Sequence, residues 1–314
     1  MALASVLVMG AGAVGSYYGA LLARDGHDVS LVARGAHLAA LGAAGRLTGR
    51  EADGSRGEVP VTALAAPAGP PPDLVVVATK SHHTLAAAEA LAPWLPRDAT
   101  VLSLQNGVEN VGRLGSVLGA DRVLGGIAFV GLRVEEPGVV EHEAEGWVRM
   151  GDPAGDTPRA RAAYALLAPS WDVVLVGDIV HAQWHKLLWN AGFNAICAVT
   201  GATAGEALAT PGSEALVRAA MWEVVAVAAR HGVTLTAGDV DEMAAPNAEL
   251  RDYHPSTARD LAAGKPLERD ALCGFLAREG ARQGIPTPVN AVLDGLLALQ
   301  EDRARGRQEV PRTP

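Results

Sequence analysis

The stretch "MGAGAVGSYYGAL", residues 9–21, decides the fold, because Gly10, Gly12 and Gly15 stand in it with the spacing G-x-G-x-x-G. Between a strand and a helix, the first glycine permits a tight turn and the second lets the backbone approach a pyrophosphate, while the third lets helix and strand pack closely. The helix N-terminus also favours an anion, because its N–H groups lack partners within the helix. The stretch predicts a nucleotide-phosphate site, with a purely structural glycine turn as the alternative.

The flanking sequence favours the nucleotide site. The apolar run "SVLVM" (5–9) predicts a buried parallel strand, "SYYGALLARDGH" (16–27) predicts a helix, and "DVSLVA" (28–33) predicts a second strand. These segments form a βαβ unit of the length that dinucleotide-binding proteins use. The predicted phosphate-binding residues are Gly10, Ala11, Gly12, Ala13, Val14 and Gly15.

The end of the second strand indicates which dinucleotide binds. Units that bind NAD usually carry an Asp or Glu there, which holds the ribose 2′-hydroxyl. This chain has Ala33 at that place and Arg34 next to it, and Asp28 lies at the opposite end of the strand. A cation without a neighbouring acid fits the 2′-phosphate of NADP, although a solvated loop charge is the alternative for Arg34. The predicted cofactor is therefore NADPH.

Two further strands end in polar residues. "PPPDLVVVATK" (70–80) ends at Lys80, and "ATVLSLQNGVEN" (99–110) carries Asn106, with a predicted helix between them. Alternating strands and helices predict a doubly wound parallel sheet, and ligands bind at the carboxyl edge of such sheets. Lys80 and Asn106 join Arg34 at this edge, although each alone also fits an ordinary turn residue.

The pattern changes along the rest of the chain. The segments "GGIAFVGLRV", "GVVEH", "WVRMGD" and "DVVLVGD" predict four more strands, with a helix near 158–168. Only helical patterns follow, over 179–198, 213–231, 256–263, 268–283 and 288–303. The predicted fold class is α/β: a Rossmann-type domain (1–177), an all-helical domain (178–303) and a polar tail (304–314).

Composition limits the class of protein. Of the 314 residues, 49% are hydrophobic and 19% are charged, which suits a full core, and the net charge of −9 argues against nucleic-acid binding. The sequence contains no run of about 18 apolar residues, so no membrane span is predicted. The N-terminus lacks the basic residues of a signal peptide, so a cytoplasmic location is expected. Cys197 and Cys273 stand far apart in apolar surroundings, which favours two buried thiols over a disulfide or a metal site. No metal is predicted.

"QWHKLLWNAGFNAI" (183–196) is the most informative helical segment. Its apolar face, at helical spacing, consists of Trp184, Leu187, Leu188, Ala191 and Ala195. Lys186, Asn190 and Asn194 follow at i, i+4 and i+8 in a row that drifts around the helix. Asparagine is a poor helix former, and the row contains no acid. The row therefore fits either a solvated face or a set of hydrogen-bond donors for a keto acid.

A second polar group lies in "HPSTARDLAAGKPLERDALCG" (254–274). Ser256 or Thr257 can cap a helix, and Thr257 with Asp260 fits a capping box. Glu268 follows a proline and is expected in the first turn of a helix, where the helix dipole stabilises a carboxylate. The pattern alone assigns no function to these residues.

Together, these motifs resemble those of the 2-dehydropantoate 2-reductases, also called ketopantoate reductases, from residue 5 to about 290. The specific part is Lys-x3-Asn-x3-Asn from Lys186, with Ser-x3-Asp-x7-Glu downstream from Ser256. The other matching features are "GAGAVG", Arg34, Lys80, "LQNG" with Asn106, "PGVVEH" (137–142) and "GIPTP" (284–288).

The resemblance implies a Rossmann domain followed by a helical domain like that of 6-phosphogluconate dehydrogenase. It implies NADPH-dependent reduction of a small 2-keto acid, ketopantoate, to pantoate on the route to pantothenate and coenzyme A, and it is compatible with a homodimer. Lys186 is then the general acid, and Glu268 helps to position substrate and cofactor. The implied substrate ligands are Asn190, Asn194 and Ser256, and the implied cofactor contacts are Arg34, Lys80 and Asn106.

Two positions depart from the family pattern. The family often has an asparagine about ten residues beyond Asn194, where this chain has "TGATAGEAL" with Ala204, and another three residues before Ser256, where it has Tyr253. Both belong to the substrate side, so a related reductase of another 2-keto acid or ketone is one alternative. A non-catalytic NADP-binding sensor is another, and the presence of both the lysine and the glutamate argues against it.

Overall fold

The structure is a computed structural model that describes residues 3–246 and 250–309. Contacts between Cα atoms divide the chain into two compact units, Met1–Val180 and His181–Pro314. The sequence pattern had suggested a boundary after residue 177.

The first unit is built on a ten-stranded sheet. The strands are β1 (Ser5–Met9), β2 (Asp28–Val32), β3 (Arg46–Arg50), β4 (Arg56–Pro60), β5 (Thr62–Leu64), β6 (Leu74–Val77), β7 (Thr100–Ser103), β8 (Val123–Glu136), β9 (Val139–Gly151) and β10 (Val173–Leu175). Their order is β4-β3-β9-β8-β7-β6-β1-β2-β5, and β10 pairs with β9. The stretch from β8 to β5 is parallel throughout, whereas β9 is antiparallel to β8 and β4 to β3. The predicted doubly wound parallel core is confirmed, within a larger mixed sheet.

Helices cover the parallel core. They are α1 (Ala13–Arg24), α2 (Gly35–Ala44), α3 (Thr84–Leu91), α4 (Asn110–Leu118) and α5 (Pro158–Leu167). Along β1, Val6 and Val8 enter one buried apolar cluster, and Leu7 and Met9 enter a second. Because successive side chains of a strand point to opposite faces, β1 is buried on both faces, as its continuous apolar run predicts.

One expectation about the strands is wrong. The segments "GVVEH" and "WVRMGD" are a single strand, β9, rather than two. The pairing with β8 skips Gly146, because Phe129 pairs with Trp147 and Val130 pairs with Glu145. Gly146 is the extra residue of a β-bulge and has a positive φ of 141°. The glycine therefore bends the strand at a point where the sequence pattern suggests a turn.

The second unit is helical in the part that the structure describes. Its helices are α6 (Ile179–Trp189, beginning in the first unit), α7 (Ala195–Thr200), α8 (Ala204–Ala207), α9 (Pro211–Arg230), α10 (Ala237–Met243), α11 (Ser256–Ala262), α12 (Cys273–Gln283) and α13 (Pro288–Glu309). A π-helical turn, Asn190–Asn194, joins α6 to α7 and interrupts the helix expected over 179–198. Because α13 extends to Glu309, the first part of the predicted tail is helical, and 310–314 lies outside the described residues.

Helix α13 begins against a buried carboxylate of α9. The backbone N–H groups of Val289 and Asn290 donate to Glu223 Oε1 and Oε2 over 2.7 and 2.9 Å. The Asn290 side-chain amide donates to Glu223 Oε2 over 2.7 Å. The first N–H groups of a helix have no partner within it. Glu223, on another helix, provides the hydrogen-bond acceptors that the side chain of an N-cap residue usually provides.

Three further features bear on the class of protein. Among the described residues, no helix is both long and apolar enough to cross a membrane. Cys197 and Cys273 are free and buried, as predicted. The described His, Cys, Asp and Glu side chains form no group of three or more that could hold a metal ion.

Candidate functional site

Of the three glycines in the turn between β1 and α1, Gly12 is the one with open space beside its backbone. A Cβ atom on Gly10, whose φ is 107°, would lie 2.7 Å from the backbone nitrogen of Thr79, and one on Gly15 would collide with the Gly10 carbonyl oxygen. A Cβ atom on Gly12 would have no described atom within 4 Å. Gly10 and Gly15 are therefore needed for the turn and its packing, whereas the backbone at Gly12 faces open space.

The N-terminus of α1 is suited to an anion. The helix runs from Ala13 and includes Val14 and Gly15, and Gly12 is its N-cap. Among the described residues, no side chain caps this end, and the first turn contains no acid. The Ala11 N–H donates to Val32 O over 2.8 Å, which holds the loop against β2. The open cradle fits the pyrophosphate of a dinucleotide.

Two predicted cationic residues lie beside this turn. Because β2 and β6 both pair with β1, with Met9 opposite Val32 and Val77, the residues that follow these strands flank the glycine turn. Arg34, which is exposed, follows β2 and is the N-cap of α2. Lys80, which is half-buried, follows β6.

A third basic residue near this edge, His83, was not predicted from the sequence. Burial lowers the pKa of His83, and the positive charges of His82 and Arg34 lower it further. The imidazole is thus close enough to Arg34 for their charges to interact. The signal in the sequence was the "KSHH" segment that directly follows β6.

The loop that carries Asn106 is fixed by a buried network. Gln105 Nε2 donates to the carbonyl oxygen of Thr79 over 3.0 Å and to Thr84 Oγ1 over 2.8 Å. Asn110 Nδ2 donates to the carbonyl oxygen of Asn106 over 2.6 Å. The ends of β6 and β7 are therefore tied together, and half-buried Asn106 lies at the same carboxyl edge as the glycine turn. The sequence pattern gave no sign that Gln105 and Asn110 hold this loop.

In the second unit, Lys186 and Glu268 interact electrostatically. Lys186 lies on α6 and is half-buried, and Glu268 is only 7% exposed. Burial lowers the pKa of Lys186 to about 8, and the negative charge of Glu268 acts in the opposite direction. The ammonium is therefore desolvated enough to titrate near neutral pH and has a carboxylate nearby that favours its charged form.

Asn190 and Asn194 are not on a solvated face. They are 4% and 3% exposed, and Asn194 Nδ2 donates to Asn190 Oδ1 over 3.1 Å. The solvated alternative for the asparagines is therefore excluded.

The π turn changes the direction in which Asn194 points. In an α-helix, residues four apart drift around the axis by about 40°. The π turn takes an extra residue per turn and rotates the chain back, so Asn194 returns towards the line of Lys186.

The π turn is packed closely against α9. A Cβ atom on Gly192 would lie 2.5 Å from Met221 Cε and 3.2 Å from Val217 Cγ1. Glycine at the centre of the turn thus permits the wide backbone to approach α9. This requirement depends on residues distant in the sequence, so the helical pattern of 183–196 could not reveal it.

Two expectations about the segment 254–274 are wrong. Pro255 is the N-cap of α11, and neither half-buried Ser256 nor buried Thr257 caps the helix. Glu268 precedes a 3-10 turn (Arg269–Ala271) rather than lying in the first turn of an α-helix. Helix α11 packs against α7 and the π turn, so Ser256 belongs to the same part of the unit as the asparagines.

The two residues that depart from the family pattern are neighbours. The backbone N–H of Ala204 donates to the carbonyl oxygen of Tyr253 over 2.9 Å. The Tyr253 ring meets Trp189 edge-on, with ring centroids 6.0 Å apart. Trp189 is the last residue of α6, the helix that carries Lys186. The departures are therefore concentrated beside the lysine–asparagine row.

An open anion cradle at the end of a parallel strand and a desolvated ammonium in a helical unit are both compatible with the class of nicotinamide-dependent oxidoreductases. Within that class, a family model described as "Ketopantoate reductase PanE/ApbA" matches residues 6–155, and the model of its C-terminal part matches residues 178–301. The chain belongs to the ketopantoate reductase family, so the resemblance, the fold class and the oxidoreductase class are confirmed.

Individual relatives cover nearly the whole chain. A 2-dehydropantoate 2-reductase from Mesorhizobium japonicum is 32% identical over 94% of this chain and 96% of its own length. A PanE/ApbA family ketopantoate reductase from Ralstonia eutropha JMP134 has a TM-score of 0.88 and 37% identity, over 96% of this chain and 99% of its own. A D-mandelate dehydrogenase with bound NADH and anilino(oxo)acetate has a TM-score of 0.87 over 96% of this chain and 99% of its own. At 23% identity, it shows the shared fold alone.

Proposed function

We propose that this protein is a ketopantoate reductase, which uses NADPH to reduce 2-dehydropantoate to pantoate in pantothenate and coenzyme A biosynthesis. The observation that carries the proposal is the desolvated Lys186 ammonium with Glu268 in its field, on the helix that leads into Asn190 and Asn194. Full-length similarity to 2-dehydropantoate 2-reductases supports the substrate.

Lys186 is the proposed general acid. When bound, the cofactor supplies a hydride to the ketone carbon, and negative charge then develops on the ketone oxygen. Lys186 Nζ donates a hydrogen bond to that oxygen and transfers a proton to it. Because the ammonium is desolvated, its charge is poorly screened and stabilises the developing alkoxide strongly. Glu268 favours the protonated amine, which the reaction requires.

The proposed substrate ligands are Asn190, Asn194 and Ser256. An asparagine amide has two N–H groups, so Asn194 can donate to Asn190 and to a substrate oxygen at the same time. Amide and hydroxyl donors bind a carboxylate without adding the positive charge that would compete with Lys186. Burial of both asparagines keeps their amides in fixed orientations.

The first unit is proposed to bind the cofactor. The glycine turn with Ala11, Ala13 and Val14 holds the pyrophosphate, and the space open beside Gly12 supports this assignment. Arg34 and Lys80 contact the adenosine phosphate end, and Asn106 contacts the nicotinamide side. The position of these residues at one edge of the sheet supports their joint role.

The test is loss of NADPH absorbance with purified protein and ketopantoate, beside a panel of branched and aromatic 2-keto acids. We expect the highest kcat/KM with ketopantoate. Turnover of another keto acid but not of ketopantoate would exclude the proposed substrate and keep the reaction type. Absence of turnover with every keto acid, in protein that binds NADPH, would favour a cofactor-binding sensor.

A related reductase of another 2-keto acid or ketone is the second candidate. It is favoured by one observation, the contact between Ala204 and Tyr253 beside Trp189. Tyr253 places an aromatic ring where the family often has an amide, and together with the neighbouring ring of Trp189 it suits a less polar substrate group. The keto-acid panel above separates this candidate from the first.

Replacement of Arg34 by alanine is expected to weaken NADPH binding and to leave NADH binding nearly unchanged. A guanidinium–phosphate contact contributes about 1.5–3 kcal/mol, which NADH cannot form because it lacks the 2′-phosphate. Fluorescence titration measures both dissociation constants. Arg24→Ala, at the opposite end of α1, is the control and should change neither. Equal weakening of both cofactors by Arg34→Ala would remove this residue from the phosphate site.

The rate of reduction is expected to fall at alkaline pH. Because the pKa of Lys186 is lowered to about 8, kcat/KM should be level below pH 8 and then decrease about tenfold per pH unit. In the direction of alcohol oxidation, the neutral amine is the base, so the rate should rise through the same pH. Initial rates across the pH range measure this, with NADPH affinity as the control. A level profile up to the range of an ordinary lysine would contradict the assignment.

A homodimer and a cytoplasmic location are also proposed. The family membership supports a small-molecule enzyme. Sedimentation of the purified chain at several concentrations tests the dimer, and fractionation of cells that express it tests the location.

A further inference from the structure

The segment that carries Glu268 is held to α13 on both sides. The backbone N–H of Leu267 donates to Glu301 Oε1 over 2.8 Å. The Arg269 guanidinium donates through Nε to Glu301 Oε2 over 3.1 Å and through Nη1 to Asp294 Oδ1 over 2.7 Å. We call Leu267, Arg269, Asp294 and Glu301 the Glu268 clamp. Both chain neighbours of Glu268 belong to it.

The clamp has the features of a rigid support. Asp294 and Glu301 are seven residues apart on α13, so they lie on one face of the helix, two turns apart. Glu301 is 9% exposed. Burial disfavours the charged form of Arg269, but Asp294, Asp270 and Glu301 outweigh it and raise the pKa, so the guanidinium stays ionised. Charge-assisted bonds from a planar guanidinium fix direction as well as distance.

Glu268 itself lies outside regular secondary structure. Its φ and ψ are −90° and 26°, and the 3-10 turn begins only after it. Helix α12 starts later, at Cys273. The carbonyl oxygen of Glu268 accepts one turn hydrogen bond, from the Ala271 N–H over 3.0 Å, in place of the continuous ladder of α6 on which Lys186 lies. The direction of the Glu268 carboxylate therefore depends in part on how its two chain neighbours are held.

We propose that Glu301 is a positioning residue for the reaction: through Leu267 and Arg269 it holds the Glu268 carboxylate at the place where it acts on the Lys186 ammonium. The inference rests on the proposed roles of Lys186 and Glu268. Electrostatic interaction weakens with distance, so a displaced Glu268 would support the charged form of Lys186 less. Loosening of the clamp should then change how the lysine titrates as well as how fast the enzyme turns over.

Two variants loosen the clamp without changing any charge. Glu301→Asp shortens the side chain by one methylene, so that one carboxylate no longer reaches both Leu267 and Arg269. Arg269→Lys removes the fork that joins Glu301 to Asp294. The matched control is Glu279→Asp on α12, whose carboxylate pairs with His231 and Arg282 rather than with the clamp.

We expect each clamp variant to lower kcat about tenfold, a loss typical of a displaced positioning group, and to move the alkaline limb of the pH profile to lower pH. The dissociation constant of NADPH should not change, and Glu279→Asp should match the wild type in all three measurements. If the clamp only stabilised the fold, the variants would have a lower melting temperature and an unchanged pH profile. If Glu301→Asp fails to fold, Arg269→Lys decides.

Wild-type kcat and pH profile in a folded clamp variant would overturn the inference. Glu268→Gln distinguishes this failure from failure of the proposed function. If Glu268→Gln moves the alkaline limb and the clamp variants do not, only the role of Glu301 is wrong. If Glu268→Gln leaves the profile unchanged as well, the proposed role of Glu268 is wrong, and the inference that rests on it fails.

Discussion

Replacement of Lys186 by alanine is expected to lower kcat for keto-acid reduction by about 10²-fold or more, with the fold and NADPH binding retained. The ammonium meets little negative charge on a ketone oxygen and much more on the alkoxide that forms from it. Its loss therefore acts mainly on the transition state, where one such donor contributes a few kcal/mol. KM for the keto acid should rise as well, because the ammonium also holds the substrate.

The fold should tolerate this change. The buried apolar face of α6 is formed by Trp184, Leu187 and Leu188, and Lys186 is not part of it. Alanine is also the better helix former. Steady-state kinetics, a thermal melt and an NADPH titration measure the three quantities, and exposed Lys265→Ala serves as the control. A wild-type kcat in folded Lys186→Ala protein would contradict the proposed role of Lys186 as the general acid.

Replacement of Glu223 by alanine is expected to lower the free energy of unfolding of the second unit by about 3–5 kcal/mol. The carboxylate accepts two backbone N–H groups and one side-chain amide where α13 begins, and Asn290 is fully buried. Without Glu223, the two backbone N–H groups lose their acceptor, and the Asn290 amide keeps only its 3.2 Å hydrogen bond to the carbonyl oxygen of Ala220. The positive end of the α13 dipole also loses its compensating charge.

Chemical denaturation followed by circular dichroism measures this loss. The control is Glu214→Ala on the same helix, because Glu214 forms a half-exposed ion pair with Arg218. Such pairs contribute only about 0–1 kcal/mol. If the two variants unfold at the same denaturant concentration, Glu223 does not support α13 in the way described.

The sequence predicts features of this protein that depend on neighbouring residues. Gly10, Gly12 and Gly15 are recognisable because the turn, the ligand approach and the helix packing are all encoded within six positions. Asn190 and Asn194 stand out because asparagine is unfavourable in a helix unless its side chain has another task. The parallel core follows from the alternation of short apolar runs with helices.

Features that depend on distant residues are not predictable in this way. The residues on either side of Glu268 bind Glu301, which is more than thirty positions away in the sequence. His83 lies close to Arg34 only because β2 and β6, the strands that precede these two residues, are both paired with β1. A sequence pattern records the residue types in these contacts but not which of them meet.

The π turn at Asn190–Asn194 contains one residue more than a continuous α-helix would need to connect α6 and α7. Loss of one residue within it would convert the segment to ordinary α-helical winding, and the helices on either side would keep their phase. A deletion inside a buried helix normally rotates everything beyond it out of register. Here the deletion would change mainly the positions of the Asn190 and Asn194 amides. The number of residues at this point therefore affects the proposed substrate ligands without affecting how the helices pack.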